Sequence, residues 1–155
     1  MREKLKVCII YDTKRGSTER IVEWMKEGLM GAGISADLKK VDRVDNFDYD
    51  FFIIGSPIYW EKPLKSVVNF LSENKDKFKG KKVAIFVVCL AKLFGHFTER
   101  HVKNHYLKPL EEKVSGSLIK SGVFKGWLKK PSYSEKKNVI KWIREVVQER
   151  KRLSQ

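Results

Sequence analysis

Cysteine is scarce. The 155 residues hold two, Cys8 and Cys89, and both sit inside apolar, strand-like runs. That usage excludes a disulfide scaffold and points to buried thiols in a reducing compartment, so a cytoplasmic chain is expected. Long apolar runs are lacking too. The longest, Val83 to Ala91, has nine residues, about half of what a bilayer-crossing helix needs. The opening stretch, Met1 to Tyr11, is basic, but its apolar part is too short for a secretory signal and soon meets Asp12 and Lys14. Acidic residues are outnumbered, with Asp+Glu 19 against Lys+Arg 33 and a formal charge of +14. Residues 1–100 carry 19 basic and 14 acidic side chains, and residues 101–155 carry 14 and 5, so the two parts net +5 and +9. Such a surface favours acidic partners, whether nucleic acid, an anionic membrane face or an acidic redox protein, or is simply the solvated exterior of a Lys-rich protein. At 42% apolar and 34% charged residues, the composition is that of a globular domain with a real core, neither a disordered tail nor a membrane bundle.

Several chemistries are excluded by absent motifs. There is no G-x-x-x-x-G-K-[ST], so no Walker-type nucleotide loop, and no G-x-G-x-x-G follows the first strand, so the dinucleotide fingerprint is missing. Cys/His clusters at metal spacing are absent; His101 and His105 share a helix face at i, i+4, but two imidazoles do not make a zinc site. No Ser/His/Asp arrangement can be assigned. A phospho-acceptor receiver domain needs an Asp at the end of its third strand, where this chain has Gly55-Ser56.

What is there is a regular alternation. Leu5 to Tyr11 reads as a buried strand. Ile21, Met25, Leu29 and Ala32 recur at helical spacing with Glu19, Arg20, Glu23, Lys26 and Glu27 on the other face, and Gly31 and Gly33 end that helix. Ile34 to Val41 alternates as an edge strand does; Phe51 to Ile54 is short and wholly apolar, as a central strand. A short helical turn is expected near Val44–Tyr49. A helix begins at Pro63 with Leu64, Val67, Val68 and Leu71 on one face. Val83 to Val88 is the strongest buried strand. A loop from Cys89 to Phe97 leads to a helix over about Glu99 to Val114, then a strand over Leu118 to Phe124 and a last helix over Ser134 to about Arg150. Strands alternating with helices predict an α/β fold: a three-layer, doubly wound, five-stranded parallel sheet in the order 2-1-3-4-5, spanning residues 1–155 as a single domain.

In such a sheet the ligand sits beyond the carboxyl ends of the strands. Three loops lie there. The first, Thr13-Lys14-Arg15-Gly16-Ser17-Thr18, groups hydroxyls, a glycine and two cations at a helix N-terminus, whose unpaired N–H groups and dipole favour an anion. Read as phosphate ligands, Thr13, Ser17 and Thr18 donate O–H groups and Gly16 lets the backbone come close; read as structure, Ser17 is an N-cap and Gly16 a turn residue. The second loop, Gly55 to Glu61, carries Tyr59 and Trp60, which either stack on a flat ring or pack over the sheet end. The third, Cys89 to Phe97, is apolar and forms the opposite wall.

The stretches Tyr11 to Glu19, Ile54 to Tyr59 and Phe86 to Leu90 resemble the flavodoxin-like family, over nearly the whole chain. Within it the chain is most similar to small single-domain flavoproteins related to bacterial flavodoxin-type protoporphyrinogen oxidase, which share a Y-x-[ST]-x-x-G-x-T loop and an I-G-S-x-I-Y loop. The resemblance implies FMN as cofactor. Thr13, Lys14, Arg15, Gly16, Ser17 and Thr18 would hold its phosphate, and Pro57, Ile58, Tyr59 and Trp60 would lie against the isoalloxazine. The stretch from Cys89, with Leu90, Ala91, Lys92, Gly95 and His96, would cover its pyrimidine side or other face. It further implies an FMN-dependent oxidoreductase, protoporphyrinogen-oxidase-like, or a non-enzymatic electron carrier. The electrons would pass to a redox partner protein or to a small-molecule acceptor such as a quinone.

Electron-carrier flavodoxins are usually acidic, whereas this chain is basic. The loop Ser56–Glu61 has no glycine, and the long segment that the oxidase relatives insert after the last strand is here only Lys125 to Pro131. Trp127 in that segment either touches an anionic interface or packs on the last helix. No catalytic acid or base is assigned. A third reading puts nucleic acid on the basic last helix through Lys136, Lys137, Lys141, Arg144, Arg150, Lys151 and Arg152, but no nucleic-acid recognition motif accompanies them.

Overall fold

The computed structural model describes residues 5–14, 16–90, 99–127 and 130–153. Five strands pair in parallel: β1 (Lys6–Tyr11), β3 (Phe51–Tyr59) and β5 (Lys82–Leu90), which follow from apolar runs, and the two outer strands β2 (Ser35–Lys40) and β6 (Ser117–Gly126), in which apolar and polar residues mix. Their spatial order is β2-β1-β3-β5-β6. A two-residue strand, β4 (Lys62–Pro63), turns back antiparallel on the end of β3. The order 2-1-3-4-5 expected for five strands is therefore present among the parallel strands, with β4 as an addition that the sequence pattern does not announce.

Helices α1 (Ser17–Gly31) and α6 (Tyr133–Leu153) cover one face of the sheet; α2 (Lys65–Glu73) and α3 (Lys75–Phe78) cover the other, with α4 (Glu99–Val102), a π-helical turn (Lys103–Leu107) and α5 (Lys108–Glu111). Side chains alternate along each strand, so each face feeds its own core. Val7, Ile9, Ile53 and Phe86 pack with Ile21, Met25, Ile143 and Val146 on the first face. Cys8, Ile10, Phe52, Ile54, Ile85 and Val87 pack with Val67, Leu71, Phe78 and Leu110 on the second. Both cysteines are free and buried.

Three expected boundaries move. The third strand does not stop at Ile54. Beyond Gly55, which pairs with Tyr11, it has no further partner on β1, yet Ser56 and Pro57 still pair with Val87 and Val88 of β5. A proline is tolerated there because that end of β3 has become an edge. The second helix starts at Lys65, since Pro63 is held in β4 opposite Ile58. The short helical turn falls on Val41–Arg43 and not on Val44–Tyr49, where the Asn46 side chain accepts the Asp48 N–H and bends the chain locally.

Candidate functional site

The carboxyl ends of β1, β3, β5 and β6 open into one cleft. It is lined by Lys14, Ser17, Thr18, Pro57, Ile58, Tyr59, Val88, Cys89, Leu90, Gly126 and Trp127 and encloses ≈ 390 Å³ including its solvent-open mouth.

Its polar end is the turn from β1 into α1. The Asp12 carboxylate ties this turn down, accepting the Thr13 N–H at 2.8 Å and the Ser66 hydroxyl of α2 at 2.6 Å. Thr13 Oγ1 accepts the Gly16 N–H at 3.0 Å. Gly16 precedes α1 with φ 90°, a conformation that disfavours any residue with a Cβ. Among the described residues no side chain caps the helix, so there the backbone donors of its first turn are left for another acceptor. Ser17 is 8% exposed and Thr18 is 0% exposed. Thr18 Oγ1 has no hydrogen-bond partner among the described residues. A buried unpaired hydroxyl costs about 1–3 kcal/mol, and an uncapped helix N-terminus next to it is the complement of an anion. These are the features an ester phosphate would satisfy.

The apolar end is built by strand termini. Pro57 and Ile58 come from β3, Val88, Cys89 and Leu90 from β5, and Trp127 follows β6. Trp127 packs on Trp24 of α1, ring centroids 5.4 Å apart, and Trp24 in turn meets Tyr133 at the start of α6. The packing partner seen is Trp24 of α1, where the last helix was expected. Burial, and secondarily the charge of Glu61, pushes the Cys89 thiol up to about 12; it is a neutral wall atom, not a nucleophile. Gly126 closes the floor. A Cβ there would stand 2.9 Å from Ser17 Oγ and 3.0 Å from Val88 Cγ1, so any side chain at 126 would crowd the cleft.

The aromatic wall is a tight hairpin. Tyr59 pairs with Lys62, and between them Trp60 and Glu61 have φ of 53° and 65°. A two-residue hairpin turn with positive φ at both positions usually uses Asn-Gly. Here neither residue is glycine, at a cost of roughly 1–2 kcal/mol each. Ser56, fully buried, braces the hairpin: its hydroxyl accepts the Leu64 N–H at 2.8 Å and donates to the Pro57 carbonyl at 2.7 Å. Glu61 Oε2 accepts the Tyr106 hydroxyl at 2.8 Å and lies 3.2 Å from His101 Nε2. Trp60 is 83% exposed, and Lys14 Nζ stands 5.8 Å from the centre of the Tyr59 ring.

Of the residues expected from sequence, Lys14, Ser17, Thr18, Pro57, Ile58, Tyr59, Cys89 and Leu90 share the cleft. Thr13 and Trp60 border a second, wider cleft across the hairpin, with Asp12, Lys62, Lys65 and Ser66. Gly16 sits at the helix cap. Arg15, Ala91, Lys92, Gly95 and His96 lie outside the described residues. Sequence reasoning missed Val88, Gly126 and Trp127 as lining residues, Ser56 as a brace, and the grip on Glu61. Only Ser56 had a signal, a hydroxyl beside Gly55 at a strand end.

The model of a family described as a flavodoxin domain matches residues 8–154. No curated protein matches the sequence. Among solved structures, the chain is similar to rubredoxin oxygen:oxidoreductase from the anaerobe Desulfovibrio gigas, with a TM-score of 0.71 at 17% identity. The match covers 97% of this chain and 37% of that one, so this chain spans little more than a third of that protein. It is also similar to two-electron reduced Megasphaera elsdenii flavodoxin, with a TM-score of 0.64, 22% identity, and coverage of 88% and 97%. A third is a Fusobacterium nucleatum flavodoxin mutant bound to flavin mononucleotide, with a TM-score of 0.66, 16% identity, and coverage of 94% and 97%. At these identities the structures speak for the fold, while the family match over almost the full length goes further: the chain belongs to the flavodoxin domain family.

Proposed function

We propose that the chain binds FMN in this cleft and works as a flavin-dependent electron-transfer protein. The observation that carries the reading is the buried Thr18 hydroxyl, which has no partner among the described residues, beside a helix N-terminus that none of those residues caps. The family match supports it, as does the flavin mononucleotide of the Fusobacterium nucleatum relative. Bound there, FMN would supply the electron chemistry; the chain supplies binding, orientation and exclusion of water. The first-turn N–H groups of α1 and the hydroxyls of Thr13, Ser17 and Thr18 hold the phosphate, and Lys14 adds positive charge. Pro57, Ile58, Cys89, Leu90 and Trp127 would keep water from the ring system, while Tyr59 offers it an aromatic face and Trp60 stands at the rim beside the second cleft. No side chain is assigned a proton-transfer role.

The electron partner is read as an acidic protein. Lys14, Lys62 and Lys65 are exposed around the second cleft beside Trp60. The nearby carboxylates of Asp12 and Glu61 are drawn into hydrogen bonds. Potentials of this sign raise encounter rates with acidic surfaces and lose that advantage as salt rises. A narrower reading, oxidation of a haem precursor with a quinone-type acceptor, rests on the motif likeness at Tyr11–Thr18 and Ile54–Tyr59 and is tested by direct assay of that oxidation.

The deciding experiment is a titration of flavin-free protein with FMN and, separately, with riboflavin, which lacks the phosphate. Two charge-assisted hydrogen bonds at about 1.5–3 kcal/mol each make FMN bind roughly 100-fold tighter or more. No uptake of FMN defeats the reading, and equal affinity for the two defeats the phosphate cradle. An acidic ferredoxin as probe should exchange electrons at a rate that falls with salt. A salt-independent rate, or preference of the protein for anionic vesicles over the ferredoxin, would remove the acidic-protein partner.

A further inference from the structure

The turn that carries Trp60 is strained, and something outside the hairpin holds it. Trp60 and Glu61 both sit at positive φ, where non-glycine residues persist only if their surroundings over-determine them. The Glu61 carboxylate supplies that restraint. One of its oxygens accepts the Tyr106 hydroxyl at 2.8 Å and lies 3.2 Å from His101 Nε2. A proton on His101 Nε2 makes that contact a donated hydrogen bond, since a carboxylate oxygen accepts. Tyr106 is 1% exposed, so its side of the contact is fixed in the second core.

The helical segment is shaped for this grip. His101 and Tyr106 are five residues apart, which in a regular α-helix would set them about 140° apart around the axis. The π-helical turn Lys103–Leu107 widens the helix between them. Their rings meet edge to face, centroids 5.5 Å apart, and both reach the same oxygen. A π-turn of this kind is rare and concentrates at functional sites.

We propose that Glu61 is a positioning residue: gripped by Tyr106 and His101, it holds the Trp60–Glu61 turn in its left-handed backbone and so sets the Tyr59–Trp60 wall for the cofactor. The proposal rests on the FMN reading for what the wall is for, but the restraint itself belongs to the flavin-free protein. With the grip removed, the binding-competent hairpin becomes a fraction of the population, and apparent affinity falls by that fraction.

The test is a comparison of Glu61→Ala and Glu61→Gly, with Tyr106→Phe as an independent release of the grip. Alanine removes the carboxylate and keeps the strain at 61; glycine removes the carboxylate and the strain at 61, leaving that of Trp60. Glu61→Ala should weaken FMN binding about tenfold, and Glu61→Gly should recover most of that loss, because only the alanine is penalised at positive φ. Tyr106→Phe should weaken binding about fivefold. In flavin-free protein, amide hydrogen exchange across 59–62 should quicken in Glu61→Ala and Tyr106→Phe more than in Glu61→Gly. Equal affinities and equal exchange for the alanine and glycine variants overturn the proposal, as does Tyr106→Phe that matches the parent in both. If the parent takes up no FMN, the cofactor reading fails while the exchange comparison still decides the restraint.

Discussion

Replacing Thr18 by valine removes one oxygen and keeps the shape of the side chain. Oγ1 is fully buried and has no partner among the described residues. From the low end of the range for a buried unpaired hydroxyl, the flavin-free variant should gain about 1 kcal/mol, or roughly 2–4 °C in Tm for a chain of this size. With FMN present the sign reverses. The same hydroxyl then donates to a charged phosphate oxygen, a bond of about 1.5–3 kcal/mol, so Kd should rise roughly 10- to 150-fold. Calorimetric melting of the flavin-free protein and a fluorescence titration with FMN read the two effects separately. An unchanged Kd in Thr18→Val would refute the assignment of this hydroxyl to the phosphate. A lower melting temperature with that unchanged Kd would show instead that the hydroxyl serves the native packing.

Three further outcomes are expected. Gly126→Val puts a branched side chain where a Cβ already meets Ser17 Oγ and Val88 Cγ1; FMN affinity should drop by about tenfold or more with the far-ultraviolet circular dichroism unchanged, and unimpaired binding would move the cofactor off this floor. Gly16→Ala forces a Cβ into φ 90° and should cost about 1–2 kcal/mol in denaturant unfolding, although the site has room for the atom. Burial pushes Cys8 and Cys89 up to about 12 from an ordinary 9.0. Their folded pKa lies above the unfolded one, so the stability they contribute is complete below pH 9 and is lost as pH rises toward about 12. The unfolding midpoint should be flat between pH 7 and 9 and fall above it, less steeply in a Cys8→Ala/Cys89→Ala variant; an equal slope would assign the alkaline loss to other groups such as Tyr49 and Tyr106, which burial also raises.

The parallel sheet was legible because its central strands β1, β3 and β5 carry nearly continuous apolar runs, and the turn after β1 because hydroxyls, glycine and cations coincide at a strand-to-helix junction. The second wall was harder. Gly55-Ser56-Pro57 reads as a chain break by composition, yet pairing with Val87 and Val88 carries the strand through it: tertiary hydrogen bonding overrides local preference. The Tyr59–Lys62 hairpin carries none of the usual turn residues, so nothing local announces Trp60 and Glu61 at positive φ. The π-turn was invisible for another reason. Val102, Tyr106, Leu107 and Leu110 keep an ordinary helical spacing, and only the demand of Glu61 from 40 residues or more away distinguishes the wider turn.

The cleft lies astride the sheet, and its two sides have different foundations. Ser17, Thr18 and Trp127 stand on the layer formed by α1 and α6, whereas Ile58, Cys89 and the hairpin grip stand on the opposite layer with α2 and the π-turn. A molecule seated there works as a rivet through two plates joined mainly by the strands between them, with the Asp12–Ser66 hydrogen bond as a small tie at one end. Its mechanical effect would reach well past its own contacts: pulled or heated, the loaded protein should come apart as one piece, while the empty one can shed either plate first.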